Sequence, residues 1–199
     1  MPVSDADPAS SPAPRATAPE RILEAAARRV RTHGGADTSM QDVAAEAGVS
    51  KALIHYHFKS REALLARLVG WLAEGVVGRE RAALVDAPPA AAVDRLWGWL
   101  SDELARGDIR VLAELAGTPA AEVRRASADG AQARLAAAAE TVERLFALLG
   151  LRPRVPSAML AAVTTAFVDG LAVDAAIDGA ANPRVAFDVF WLALLGLAE

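Results

Sequence analysis

Apolar residues recur along this chain at the three- and four-residue spacing of amphipathic helices, from Pro19 almost to the end. Ile22, Ala26 and Val30 repeat at intervals of four before a pair of glycines, which predicts a first helix ending near His33. No stretch alternates apolar and polar residues in the way a half-buried strand does. The pattern therefore predicts an all-α fold of about nine helices.

Short helices are predicted after the first one. Thr38 and Gln41 have the spacing of a capping box, which predicts Thr38 as the N-cap of a helix running to about Ala47. Gly48 then suits a turn, and Ser50 is placed to cap a third short helix. Two short helices joined by a tight turn are typical of a helix-turn-helix, here at about residues 39–58.

Proline and helix length divide the chain into three parts. Residues 1–19 contain five of the eleven prolines, and residues 1–18 are predicted to be a disordered tail. Residues 19–66 form a predicted small domain around the helix-turn-helix. Residues 67–199 form a second predicted domain of longer helices.

The composition excludes several classes of function. The absence of cysteine excludes disulfides, thiolate metal sites and a cysteine nucleophile. His55 and His57 point to different sides of a helix, and Asp169 and Asp174 lack a nucleophile or base partner, so no metal site, cofactor or enzyme activity is expected. No secretory signal and no apolar run of about 18 residues is evident, so we expect a cytoplasmic protein without a membrane segment.

Charge is distributed unevenly. The whole chain carries a formal charge of −4, but residues 20–67 contain eight basic residues against six acidic ones. Both lysines, Lys51 and Lys59, lie in or beside the helix-turn-helix. A mildly basic head on an acidic body favours contact with DNA through the head alone.

The third helix has one inward and one outward side. Ile54 and Phe58, one turn apart, are predicted to face the core, which turns Ala52, His55 and Tyr56 outward. In a helix-turn-helix such a face enters the major groove, while residues around it hold the phosphate backbone. The predicted DNA-binding residues are Thr38, Ser39, Ser50, Lys51, Ala52, His55, Tyr56, His57, Lys59 and Arg61.

Residues 20–68 resemble the N-terminal domain of the TetR family of bacterial transcriptional regulators. Three positions depart from the usual family pattern: Ala52 replaces a glycine, His55 a tyrosine and Arg61 a lysine. The residues that match the family pattern are Thr38, Val43, Ala44, Ala47, Gly48, Val49, Ser50, Ile54, His57, Phe58, Ser60 and Leu64.

The resemblance implies a homodimer that binds double-stranded DNA at a near-palindromic operator and releases it when a small-molecule effector binds the second domain. The helices that bound the effector cavity in relatives suggest a largely apolar pocket lined by Trp71, Trp97, Leu112, Phe146, Met159, Thr164 and Phe167. The last two helices suit a four-helix dimer interface, with contacts from Val163, Gly170, Leu171, Val189, Phe190, Ala193 and Leu197.

Two alternatives to a ligand-released repressor remain open at this stage. The same head suits an activator or a regulator that needs a corepressor, because the sign of regulation depends on where the operator lies. A small-molecule binding protein with vestigial DNA binding is the alternative from another class.

Overall fold

The computed structural model describes residues 16–177 and 182–199, so most of the predicted disordered tail lies outside the described residues. Over these ranges the chain is helical apart from turns, a short 3-10 turn at Pro89–Ala91 and one isolated bridge between Pro153 and Ala198. The predicted all-α fold is confirmed. The helices are α1 Ala18–His33, α2 Met40–Ala47, α3 Lys51–Phe58, α4 Arg61–Ala83, α5 Ala92–Arg106, α6 Asp108–Ala116, α7 Ala121–Leu149, α8 Ser157–Ile177 and α9 Pro183–Leu195.

The predicted cap of α2 is wrong by one residue. Ser39 is the N-cap: its hydroxyl accepts a hydrogen bond from the amide of Asp42, and the Asp42 carboxylate accepts one from the amide of Ser39, both at 3.2 Å. Thr38 instead donates its hydroxyl to the carbonyl of Gly34 at 2.8 Å. Thr38–Gln41 and Ser39–Asp42 have the same spacing, and the carboxylate of Asp42 also favours the positive end of the helix.

The first three helices pack together through buried side chains that belong to the one hydrophobic core of the described chain. Ile22 and Val30 of α1, Val43 of α2 and Ile54 of α3 are completely buried. Gly48 joins α2 to α3 with a left-handed backbone (φ 64°), the conformation that costs glycine least. The helix-turn-helix geometry therefore follows from residues close together in sequence.

Helix α4 connects this small domain to the rest of the molecule. It begins at the Ser60 cap beside α3, contacts α1, and continues into the second domain against α5, α6 and α7. Its most extensive packing is with α7. There Gly130 of α7 lies so close to α4 that a Cβ added to this glycine would be 3.1 Å from the Cβ of Ala73. Helix α4 is therefore a continuous element that contacts both the N-terminal helices and the longer helices that follow.

Helix α8 is unusually apolar. By length and composition alone, the segment Ser157–Ala175 would be able to cross a membrane, although a core helix passes the same test. Only a third of this segment is buried within the described chain. Much of its apolar surface is therefore still uncovered.

Candidate nucleic-acid interface and internal cavity

Helix α3 is held by two buried anchors and presents a polar face on the other side. Ile54 is completely buried and Phe58 is 5% exposed. Lys51, Ala52 and His55 are all exposed on the opposite side. The face predicted from helical spacing is the face that the structure leaves free.

Tyr56 is the most prominent side chain on that face, with 78% of its surface exposed. Its ring meets the ring of the half-buried His57 edge-on, with centroids 5.1 Å apart. Nδ1 of His55 lies 3.3 Å from the carbonyl oxygen of Lys59, which fixes the imidazole near the end of α3. An exposed phenol and an exposed imidazole on one helix face can donate to phosphates or base edges.

The two predicted serine contacts lie at helix N-termini. Ser39 caps α2, and Ser50 caps α3 by accepting a hydrogen bond from the Leu53 amide at 3.2 Å. Both serines are exposed. Helix N-termini carry free amides and a partial positive charge that suit a DNA phosphate.

Two predicted phosphate contacts are corrected by the structure. Thr38 is only 2% exposed and its hydroxyl is engaged with Gly34. The guanidinium of Arg61 donates to the carbonyls of the α1–α2 connection: Nε to Thr38 at 2.8 Å, and Nη2 to Gly35 and, at 3.2 Å, to Ala36. Arginine's planar fork suits several carbonyls at once. Arg61 thus stabilises the head, and helical spacing alone gave no sign of this long-range role.

The seven predicted ligand-binding residues do not form one pocket in this structure. Leu112 and Phe146 are buried in the core, whereas Met159 is 62% exposed. Trp71 lines a separate cleft beside α6, and the ring of Trp97 packs on Phe187 with centroids 5.3 Å apart. Helical spacing shows which residues face inward, but not which of them meet.

Thr164 and Phe167 are the two predicted pocket residues that share a cavity. This cavity of about 20 Å³ lies among α4, α5, α7, α8 and α9. Its aromatic lining comes from Trp99, Phe167, Phe187, Phe190 and Trp191. Its polar lining comes from Glu80, Thr141 and Thr164.

Glu80 is the functional candidate that sequence analysis missed. It is only 5% exposed, and this burial raises the pKa of its carboxyl to about 7, against the opposing effects of the Thr141 hydroxyl and of Arg134 and Arg81. The sequence does indicate that Glu80 is buried, because it follows Leu72 and Val76 at intervals of four on the apolar face of the same helix. A carboxylate on a buried helix face is rare unless it is paired with another group or has a function.

A charged cluster ties the two domains together. Arg79 of α4 donates both its Nε and its Nη2 to the carboxylate of Glu103, which is 1% exposed. Nη2 of Arg79 also reaches Asp108 at 2.9 Å, and the other oxygen of Asp108 accepts from Arg31 of α1. Hydrogen bonding to Glu103 is the main reason why the pKa of Arg79 is raised. Helices α1, α4, α5 and α6 therefore meet in one ionic cluster, which we call the α1–α4–α6 bridge.

The residues predicted at the dimer interface fall into two groups. Val163 and Val189 are 56% and 62% exposed, and Ala193 and Leu197 are exposed as well. Nothing in the described chain approaches within 4 Å of a Cβ added at Gly170, so no helix of the same protomer uses its small size. By contrast, Leu171 and Phe190 are largely covered and line an open groove of about 900 Å³ between α8 and α9.

Comparison with known proteins identifies relatives of the N-terminal helices. Residues 22–68 match the family model for bacterial regulatory proteins of the tetR family. The HTH-type transcriptional regulator BetI of Agrobacterium fabrum is 38% identical over 66 residues, which are 33% of this chain and 32% of BetI. The match therefore spans only about a third of that relative.

Solved structures resemble the whole fold. A transcriptional regulator from Rhodococcus sp. Rha1 superposes with a TM-score of 0.73 and 22% identity, covering 92% of this chain and 98% of that one. SmeT, in a complex with triclosan, gives a TM-score of 0.68 and 19% identity over 88% of this chain and 90% of SmeT. Residues 22–68 are thus similar to the helix-turn-helix region of tetR-family regulators, and the chain as a whole shares the fold of the solved regulators.

Proposed function

We propose that the protein is a homodimeric repressor that binds a near-palindromic operator through α3 and leaves it when a small molecule enters the second domain. The observation that carries this proposal is the exposed face of α3, where Lys51, Ala52, His55 and Tyr56 stand opposite two buried anchors. Side chains of this kind on a helix that fits the major groove can contact both phosphates and base edges.

A dimer would place two such helices on one side of the DNA. Recognition helices of a dimer must lie about one helical turn apart, roughly 34–36 Å, to enter successive major grooves. Most of the large apolar side chains that the described chain leaves exposed lie on α8 and α9, including Met159, Val163, Val189 and Leu192. Contiguous exposed apolar surface usually marks an interaction site. Packing α8 and α9 against a second copy would cover it.

The contacts of α4 support a route by which a ligand in the second domain would influence this spacing. The aromatic cavity borders α4, and the α1–α4–α6 bridge connects α4 to the head. A ligand that favours one position of α4 shifts the dimer toward the corresponding separation of the two α3 helices, by as much as its affinity differs between them.

The lining of the cavity favours an effector whose larger part is apolar and can pack against aromatic rings. SmeT, which shares the fold, is seen with triclosan, and this supports a small-molecule occupant of the second domain here. The similarity of the head to tetR-type regulators supports a proposed activity on DNA in the bacterial cytoplasm.

Selection of random duplex DNA by the purified protein at near-physiological salt tests the proposal. We expect enrichment of a palindrome, with loss of enrichment in Tyr56→Ala. Arg124→Ala removes an exposed residue on α7, far along the chain from α3, and serves as the matched control that leaves the selected sequence unchanged. Enrichment of no sequence, or the same palindrome with Tyr56→Ala as with the wild type, would contradict the assignment of α3.

A further inference from the structure

The aromatic cavity contains a feature that an apolar effector does not require. Glu80 projects from α4 into a lining of five aromatic side chains and is 5% exposed. A carboxylate loses its hydration when it is buried, so an ionised Glu80 needs a partner that supplies positive charge or N–H donors.

The cationic neighbours of Glu80 are engaged elsewhere. Arg134 of α7 pairs with Asp169 of α8. Arg81 pairs with Glu140, with its Nε and Nη2 at 2.8 Å and 2.9 Å from the two carboxylate oxygens. Within the described chain, neither guanidinium is therefore held against Glu80.

Glu80 has the Thr141 hydroxyl as a hydrogen-bond partner, whereas two other polar atoms at the cavity have none among the described residues. Thr164 is 8% exposed, and its Oγ1 has no hydrogen-bond partner among the described residues. The same holds for Nε1 of Trp99. Both residues, with Glu80, also line an adjoining void of about 10 Å³. Buried groups of this kind are normally satisfied, so their clustering at one cavity marks a place where a ligand can bind.

We propose that the effector is a protonated amine with an apolar body, whose ammonium group binds the carboxylate of Glu80 and the hydroxyl of Thr164. The proposal rests on the proposed function and defines the chemical class of its effector. An ammonium group offers the three donors that a carboxylate and a hydroxyl can accept, and aromatic faces attract cations. A carboxylate ligand would be repelled by Glu80, and an alcohol would donate one hydrogen bond without the attraction between opposite charges.

The cavity must open to admit such a molecule, because about 20 Å³ is room for roughly one water. Phe167 of α8 and Phe190 of α9 are stacked with centroids 4.1 Å apart and planes 3° from parallel. The same two rings also line the groove of about 900 Å³ between α8 and α9. If these two rings moved apart, the cavity would join the groove. The apolar part of the ligand would then lie between the rings and replace the contact of one ring with the other.

Binding of matched compounds tests the proposal. Phenylethylamine, phenylbutylamine and phenylhexylamine are compared by calorimetry with the alcohol and the carboxylate of each carbon skeleton. We expect at least one amine to bind about 10- to 100-fold more tightly than its alcohol, the range for a hydrogen-bonded charge, and the carboxylates to bind most weakly. Equal affinity for amine and alcohol, or no binding by any amine, would overturn the proposal.

Glu80→Gln preserves the size of the side chain and removes its charge. We expect this variant to lose the preference for the amine while keeping its affinity for the alcohol. Glu74→Gln, an exposed position on the same helix, is the control and should behave as the wild type. Retention of the amine preference in Glu80→Gln would overturn the role of Glu80.

The pH dependence provides a second readout. Glu80 has a raised pKa of about 7, so wild-type affinity for the amine should rise from about pH 6 to about pH 8 as the carboxyl ionises. Arg134, Arg81 and Glu140 are the charged groups around it, and Glu80→Gln should abolish the rise. An identical rise in Glu80→Gln would contradict the proposal.

Failure of this proposal and failure of the proposed function give different results. A selected operator without amine preference would leave the regulator in place and refute the effector class. Amine binding that depends on Glu80, without any selected operator, would leave the site in place and refute the regulator.

Discussion

The head and the body of this protein differ in how far their functional surfaces depend on local sequence. In the head, an eight-residue helix carries both the buried anchors and the exposed polar face of α3. In the body, the polar and aromatic lining of the cavity comes from five helices, and Glu80 and Trp191 are more than a hundred residues apart. The head leaves its polar surface exposed, whereas the body encloses the carboxyl of Glu80, which is 5% exposed.

The body interface offers the largest expected effect. Val189→Arg places a charge at the centre of the proposed dimer surface, where burial without a partner is costly. We expect the dimer to dissociate and operator affinity to fall by at least about 100-fold, because each protomer then binds one half-site alone. Sedimentation and operator titration measure the two effects.

The same substitution elsewhere provides the control. Val85 is 49% exposed and lies after α4, away from α8 and α9, so Val85→Arg should remain dimeric. If Val189→Arg is dimeric and binds the operator with full affinity, α9 does not form the dimer interface.

The buried carboxyl should make the body's stability depend on pH. Glu80 has a pKa of about 7 in the folded protein against 4.5 when unperturbed, so its protonated form favours folding below about pH 4.5 and this stability is lost as the pH rises through 7. At 1.36 kcal/mol per unit, the loss is about 3 kcal/mol. Glu80→Gln should therefore be more stable than the wild type at pH 8, and nearly equal to it at pH 4.

Denaturant unfolding at the two pH values measures this difference. Glu74→Gln is the control, and should follow the wild type at both. A Glu80→Gln variant that is less stable than the wild type at pH 8 would show that the ionised carboxyl already has a good partner inside the protein.

Substitutions of Arg61 distinguish a role in the stability of the head from a direct contact with DNA. Arg61→Ala removes hydrogen bonds from a charged donor to three carbonyls, so we expect the free energy of unfolding to fall by about 2 kcal/mol. The salt dependence of DNA binding should not change. Arg61→Lys retains the charge without the fork and should recover only part of the stability. A reduced salt slope at unchanged stability would restore Arg61 as a phosphate contact.

Substitution of Lys51 has the smallest expected effect on stability, but it should change the salt dependence of DNA binding by a defined amount. It is exposed at the start of α3, so Lys51→Ala should leave stability unchanged and reduce the slope of log affinity against log salt by about one unit. Arg124→Ala on α7 should leave the slope unchanged. A slope that is unchanged in Lys51→Ala would place this end of α3 away from the phosphates.

These contrasts show how much the sequence can predict. The outward side of α3 followed from Ile54 and Phe58, because their spacing within one helix determines their direction. The structural role of Arg61 was missed because its carbonyl partners lie before α2, more than twenty residues away. The predicted pocket residues lie apart for the same reason. Met159 and Phe146 both have the spacing of apolar helix faces, but Met159 is exposed and Phe146 is buried against the helices around α7.

Operator titration in the presence of phenylbutylamine is the most direct test of the link between head and body. We expect the amine to release the selected operator from the wild type. We expect phenylbutanol at the same concentration to release much less, and Glu80→Gln to stay bound. If the amine binds at Glu80 but leaves operator affinity unchanged, the cavity does not control α3 and the central claim is contradicted.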